Sequence, residues 1–194
     1  VAGFYAIVAG IRGDFETASI AIFIAMIMDG LDGRIARMTN TQSAFGAEYD
    51  SLADMVSFGM APALVIFQWS LTDMGKFGWM VAFIYAACGA LRLARFNTQI
   101  GTQDKRYFQG LPSPAAAAII AGWVWAGTSN DFSESMIAIF TIPITFGAAI
   151  LMVSSMRYHS FKELDLRNRV PFVVMLVLVL IFALVAIDPP TILF

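Results

Sequence analysis

Apolar runs of near-membrane length, separated by short loops that hold most of the charge, constrain this chain more than any other feature. The runs fall at Val1–Ile11, Ser19–Ile35, Ala44–Ser70, Phe77–Leu93, Pro114–Thr128, Ser135–Val153 and Val170–Ile187. A helix crossing a bilayer needs about 20 residues, so the first run is too short to span and the others are long enough or nearly so. Val1 carries neither an initiator Met nor a charged leader region, and Asp188-Pro189-Pro190-Thr191 resembles a turn opening a further helix. Both ends therefore point to a longer parent chain. Helix starts are written most clearly at Pro112-Ser113-Pro114 and at Ser133-Glu134. The expected fold class is all-α: a polytopic transmembrane helical bundle of about six full spans plus a partial first helix. Residues 1–194 are expected to form one membrane-embedded domain.

Composition narrows the function classes. Only 13% of the residues are charged and 59% are hydrophobic, against about 25% and 45–50% in soluble domains. That argues against a water-soluble globular domain and against disorder. A net charge of −2 without a basic block argues against nucleic-acid binding. A lone cysteine, Cys88, and a lone histidine, His159, supply neither an intramolecular disulfide nor a Cys/His zinc site. Cys88 lies in the small-residue run Ala86–Ala90 and suits packing.

The basic residues fix an orientation. On one side lie Arg34, Arg37, Arg92, Arg95, Lys105, Arg106, Arg157, Lys162, Arg167 and Arg169; on the other lie only Arg12 and Lys76. Positive-inside bias places the first group in the cytoplasm. Six acids belong to the opposite side: Asp14, Glu16, Asp73, Asp131, Glu134 and Asp188.

Four aspartates fit neither pattern. Asp29 and Asp32 follow the unbroken apolar run Ile20–Met28, and Asp50 and Asp54 lie within Ala44–Ser70. Carboxylates at such depth cost several kcal/mol, on the order of a buried ion pair's desolvation, unless they are paired or coordinated. Arg34 and Arg37 could neutralise two of the four and would leave two unbalanced. Asp29 and Asp32, three apart, share a helix face, and Gly46, Asp50 and Asp54 form a second stripe at spacings of four. The short polar turn Met38–Ser43 makes the two helices antiparallel neighbours with their acids at the same end. At 1.5 Å per residue, Asp50 and Asp54 lie roughly 9–15 Å into their helix, in a cavity open to the cytoplasm. Clustered carboxylates suit Mg²⁺ or Mn²⁺, not zinc. Gly33, Ala36 and Gly46 beside them admit either close helix packing or a ligand lying against the backbone.

Read end to end, these residues give Asp29-x2-Asp32-Gly33-x2-Ala36-Arg37-x8-Gly46-x3-Asp50-x3-Asp54, which resembles the signature of the CDP-alcohol phosphotransferase family at every position. Eight fixed residues at fixed spacing arise by chance on the order of 10⁻¹⁰ per start position. The stretches Phe45–Gly59, Leu91–Asn97 and Phe108–Ala115 are similar to the family's phosphatidylserine synthase branch, and the likeness thins after residue 125. The resemblance implies transfer of a phosphatidyl group from CDP-diacylglycerol to the hydroxyl of L-serine, with release of CMP. It implies a site of two divalent cations, Mg²⁺ or Mn²⁺, held by Asp29, Asp32, Asp50 and Asp54, with Asp54 also the candidate general base. Asp29, Gly33, Ala36, Arg37 and Gly46 would bind the CDP moiety. A homodimer in an inner or plasma membrane is implied as well.

Beyond the signature, Arg92 and Arg95 share a face at a cytoplasmic helix end. They suit either snorkelling to lipid headgroups or a pocket for the serine carboxylate or lipid phosphate, with Asn97 and Ser113 beside them as acceptor candidates. Arg157, Lys162, Arg167 and Arg169 suit a surface loop, with His159 a bystander among them. Two alternatives stay open from the residues. One is the same reaction with another acceptor or donor (glycerol 3-phosphate, an inositol phosphate, CDP-archaeol). The other is a metal or ion transporter, although no internal repeat places a site near the midplane.

Overall fold

The computed structural model describes residues 1–38, 43–98, 107–130, 132–154 and 157–159, the side chains of 34–38, 44, 107–109 and 157–159 excepted. Its frame is helical. Helix α1 (Ala2–Ile11) turns through Arg12 and Gly13 into α2 (Phe15–Met38), whose first turn is capped by Asp14 Oδ1 accepting from Thr17 N at 3.1 Å. The stretch expected as one helix over Ala44–Ser70 is continuous but not uniform. It comprises α3 (Ala44–Asp54), a π-helical turn (Met55–Met60), α4 (Ala61–Ile66), a second π-helical turn (Phe67–Leu71) and a 3₁₀ turn (Thr72–Met74). The chain then reverses at Gly75, where φ is +57° and a side chain would be strained, and α5 (Gly75–Thr98) packs back along the first arm. Helices α6 (Ser113–Ser129) and α7 (Glu134–Val153) complete the described bundle.

Both helix starts read from the sequence are present. Pro sits in the first turn of α6, and Ser133 Oγ accepts from Met136 N at 3.4 Å ahead of α7. One local feature departs from the all-helical expectation: Tyr107–Gln109 pairs antiparallel with Arg157–His159, so His159 lies on a short ladder opposite Tyr107. The expected span Val170–Ile187 lies outside the described residues, as do Lys105, Arg106, Lys162, Arg167 and Arg169.

Small residues make the core. Ala6, Ala18, Ala61, Ala116, Ala117 and Ala149 are fully buried, with Ile22, Phe58, Tyr85 and Ile120 filling the space between helices. Backbones approach closely in consequence: a Cβ on Gly3 would collide with Ser57 of the first π-helical turn, the small-residue packing that membrane bundles favour. A buried polar cluster ties three elements together. Trp123 Nε1 donates to Thr141 Oγ1 at 2.9 Å, and Ser70 Oγ donates to the same atom at 3.3 Å. The outward faces are apolar instead, with Ile27, Trp79, Phe83 and Ile139 all more than half exposed. Two helical stretches, Phe45–Thr98 and Glu134–Val153, are long and apolar enough to cross a membrane.

Candidate active site

The inward face of α2 explains where Asp29 points. Ala18, Ala21, Ile22 and Ala25 are buried along it, and Asp29 is the next residue on that stripe, half-buried where the packed core ends. On the neighbouring arm the stripe Gly46, Asp50, Asp54, Phe58 goes from exposed, through half-buried at Asp54, to 1% exposed at Phe58. Together these stripes border a region that is exposed at the Gly46 end and buried at Phe58. Within it Asp29, Asp50 and Asp54 converge: one carboxylate oxygen from each lies within 4.8 Å of the other two.

Asp32 falls one turn further along α2. It is exposed and outside that three-membered group, though close enough for its charge to act on Asp29. Three carboxylates at this spacing repel one another unless a cation or proton lies among them. The donors are all oxygen, which fits Mg²⁺ or Mn²⁺ and does not suit zinc. The residues present therefore fit the divalent cations expected from the sequence.

Gly46 separates two uses of a small residue. A Cβ there would meet only Ser43 Oγ, at 3.1 Å, and nothing from another helix. Ser43 caps α3 through that same hydroxyl, which accepts from Gly46 N at 3.0 Å. Gly46 thus has open space beside it and does not serve helix packing. Gly33 is half-buried nearby on α2; the side chains of Ala36 and Arg37 lie outside those described.

The two arginines expected on one face take different partners. Arg92, half-buried on α5, turns inward: Nη1 donates to Ser113 Oγ at 3.1 Å, its charge acts on Asp54, and its Nε is buried without a hydrogen-bond partner. Arg95 instead reaches the end of α7, where Nη1 donates to Val153 O at 3.4 Å, a favourable place for a cation at a helix C-terminus. Ser113, at the start of α6, is 1% exposed and belongs to the Arg92 contact. Asn97, the other acceptor candidate, donates from its Nδ2 to Ser51 Oγ at 3.0 Å.

Sequence reasoning missed two contributors, Ser51 and Tyr85. Ser51 sits in the -Asp50-x3-Asp54- interval, where a polar residue on the face toward α5 was the available signal. Tyr85 donates its hydroxyl to Phe58 O at 3.1 Å in the buried core; a lone Tyr in an apolar run was its only sign.

A family model described as CDP-alcohol phosphatidyltransferase matches residues 1–153. The CDP-diacylglycerol–serine O-phosphatidyltransferase of Helicobacter pylori is 38% identical over 168 residues, covering 87% of this chain and 71% of that protein. The Mycobacterium tuberculosis protein of the same name is 44% identical over 126 residues, 62% of this chain and 44% of its own length. An archaetidylserine synthase from Methanothermobacter thermautotrophicus is 35% identical over 158 residues, 80% of this chain and 64% of its own.

Proposed function

The chain belongs to the CDP-alcohol phosphatidyltransferase family, and from that premise we propose that it transfers the phosphatidyl group of CDP-diacylglycerol to the hydroxyl of L-serine, giving phosphatidylserine and CMP. The observation that carries this reading is the convergence of Asp29, Asp50 and Asp54 at the signature positions, in a chain whose relatives are named for transfer to serine.

Asp29, Asp50 and Asp54 would hold the divalent cations, with Asp32, exposed beside them, completing the set. Bound there, two such ions would neutralise the donor's pyrophosphate and make the serine hydroxyl easier to ionise. Asp54, more buried than Asp50, takes the hydroxyl proton as the serine oxygen forms its bond to the phosphorus that carries the diacylglycerol. The bond from that phosphorus to the CMP oxygen breaks, and CMP leaves with the electron pair. A carboxylate is a weak base toward an alcohol, so proton transfer to Asp54 must run late, as negative charge leaves the attacking oxygen. Gly33, Ala36 and Gly46 would give the nucleotide room against the backbone, and Arg37, at its signature position, would serve the leaving CMP. Arg92, held by Ser113, presents a guanidinium edge to the serine carboxylate or the lipid phosphate.

The proposal extends to topology. Six spans and a partial first helix over residues 1–194, in a plasma or inner membrane, would put the aspartates at the cytoplasmic face. Two chains would associate as a homodimer. The apolar outward faces support the membrane setting, and the ten-to-two distribution of basic residues supports the orientation. The archaetidylserine synthase relative favours a second donor for comparison, the ether lipid CDP-archaeol.

The test is CMP release from CDP-diacylglycerol and from CDP-archaeol. Each donor is offered L-serine, glycerol 3-phosphate and inositol phosphate, with and without Mn²⁺ or Mg²⁺. Serine-dependent, chelator-sensitive release is expected. Release driven by another acceptor, or undiminished by chelator, overturns the assignment.

A further inference from the structure

Helix α3 carries two of the three clustered carboxylates and is the least anchored element of the site. Among its described residues none is buried; Phe45, Tyr49 and Leu52 are 80%, 65% and 67% exposed on its far side. Packing along α3 itself therefore does little to set its rotation, which is held where it runs on into the first π-helical turn and by contacts from α5. The positions of Asp50 and Asp54 depend on that rotation. One degree of roll moves every carboxylate on the helix together.

Two hydrogen bonds from α5 hold this segment on either side of Asp54. Tyr85 donates to the carbonyl of Phe58, four residues after it. Asn97 Nδ2 donates at 3.0 Å to Ser51 Oγ, three residues before it and directly after Asp50. Ser51 Oγ also reaches Ala47 O at 3.1 Å, the local bond a helical serine makes unaided; the bond to Asn97 spans 46 residues of sequence and joins two helices. We propose that the Asn97–Ser51 pair is a positioning pair, which fixes the roll of α3 and so sets the carboxylates of Asp50 and Asp54 for cation binding. Neither side chain is a catalytic residue; each acts through the aspartate helix.

The inference rests on the cation site proposed above, and the experiment separates the two. Mn²⁺ binding to the purified protein in nanodiscs is measured by electron paramagnetic resonance of the free ion, alongside KM for L-serine from CMP release. Wild type is compared with Ser51→Ala, Asn97→Ala, the double variant, Ser51→Thr and Asp50→Asn. Partners that orient metal ligands are worth about 10–100-fold in affinity when removed; an indirect pair should fall near the lower end. Ser51→Ala and Asn97→Ala are each expected to weaken Mn²⁺ binding about tenfold, the double variant no further, with the serine KM within about twofold of wild type in all three. Ser51→Thr, which keeps the hydroxyl, is expected to bind like wild type, distinguishing the pair from a general loss of fold. Unchanged Mn²⁺ affinity in both alanine variants, with Asp50→Asn impaired, overturns the pair and leaves the cation site standing. A raised serine KM in Asn97→Ala alone also overturns it, by assigning Asn97 to the acceptor. Wild-type Mn²⁺ binding in Asp50→Asn overturns the site and the pair together.

Discussion

Asp54 and Arg92 show how differently two charged side chains can be read at the residue scale. Asp54 announced itself through spacing, since a carboxylate four residues after Asp50 in an apolar run has no cheap structural explanation. Asp54→Asn keeps size and polarity while removing the proton acceptor and one cation ligand. CMP release should fall about 10²–10⁴-fold, the range of a general acid–base group; a wild-type rate would remove Asp54 from the base role. Arg92 was ambiguous by spacing, because Arg92 and Arg95 share a face yet go to Ser113 and Val153 respectively. Its partners are on α6 and α3, far away in sequence, and no local rule could choose between them and the lipid. Arg92→Lys retains charge and loses the fork, so KM for one anionic substrate should rise by roughly 10-fold or more, the worth of a hydrogen bond to a charged group. Which KM moves, that for L-serine or that for CDP-diacylglycerol, identifies the anion.

At the scale of elements, caps and stripes were legible and helix regularity was not. Pro112-Ser113-Pro114 and Ser133-Glu134 mark helix starts because the chemistry that ends or begins a helix is local. The π-helical turn at Met55–Met60 has no such local cause. It lies where a Cβ on Gly89 would touch Gly59 Cα at 3.5 Å and where the Tyr85 hydroxyl meets the Phe58 carbonyl. Such turns, which recur at functional sites, depend on a neighbouring helix to satisfy the displaced carbonyls. Tyr85→Phe leaves the Phe58 carbonyl buried without that partner. A loss of about 1–3 kcal/mol is expected from the unsatisfied group, read as a lowered Tm in detergent. An unchanged Tm would mean that the turn does not depend on Tyr85.

Over the whole molecule, the placing of charge makes two checks possible. Helix α5 has Lys76 near one end and Thr98 at the other, both exposed, so a single element reports both membrane faces. In a Cys88→Ser background, Thr98→Cys should react with an impermeant maleimide from the cytoplasmic side and Lys76→Cys from the opposite side. The reverse pattern would invert the topology. Chelation should abolish CMP release while leaving the helical circular dichroism intact, and added Mn²⁺ or Mg²⁺ should restore activity; persistent turnover would exclude the cation site.

The sequence by itself determined that the chain is a helical membrane protein, where most of its helices lie, and which four aspartates stand out. These are consequences of hydropathy and of period, and both act within a single element. It also grouped those aspartates by helix face, because residues three and four apart on one helix must be neighbours. Only the tertiary structure decided which of them meet. Asp29 joins Asp50 and Asp54 while Asp32 stays exposed outside the group, a result set by the relative depth of α2 and α3. The same is true of Asn97, whose amide finds Ser51 only when α5 is laid beside α3. Contacts between helices depend on their relative depth and roll, and neither quantity is encoded in the pattern of any one of them.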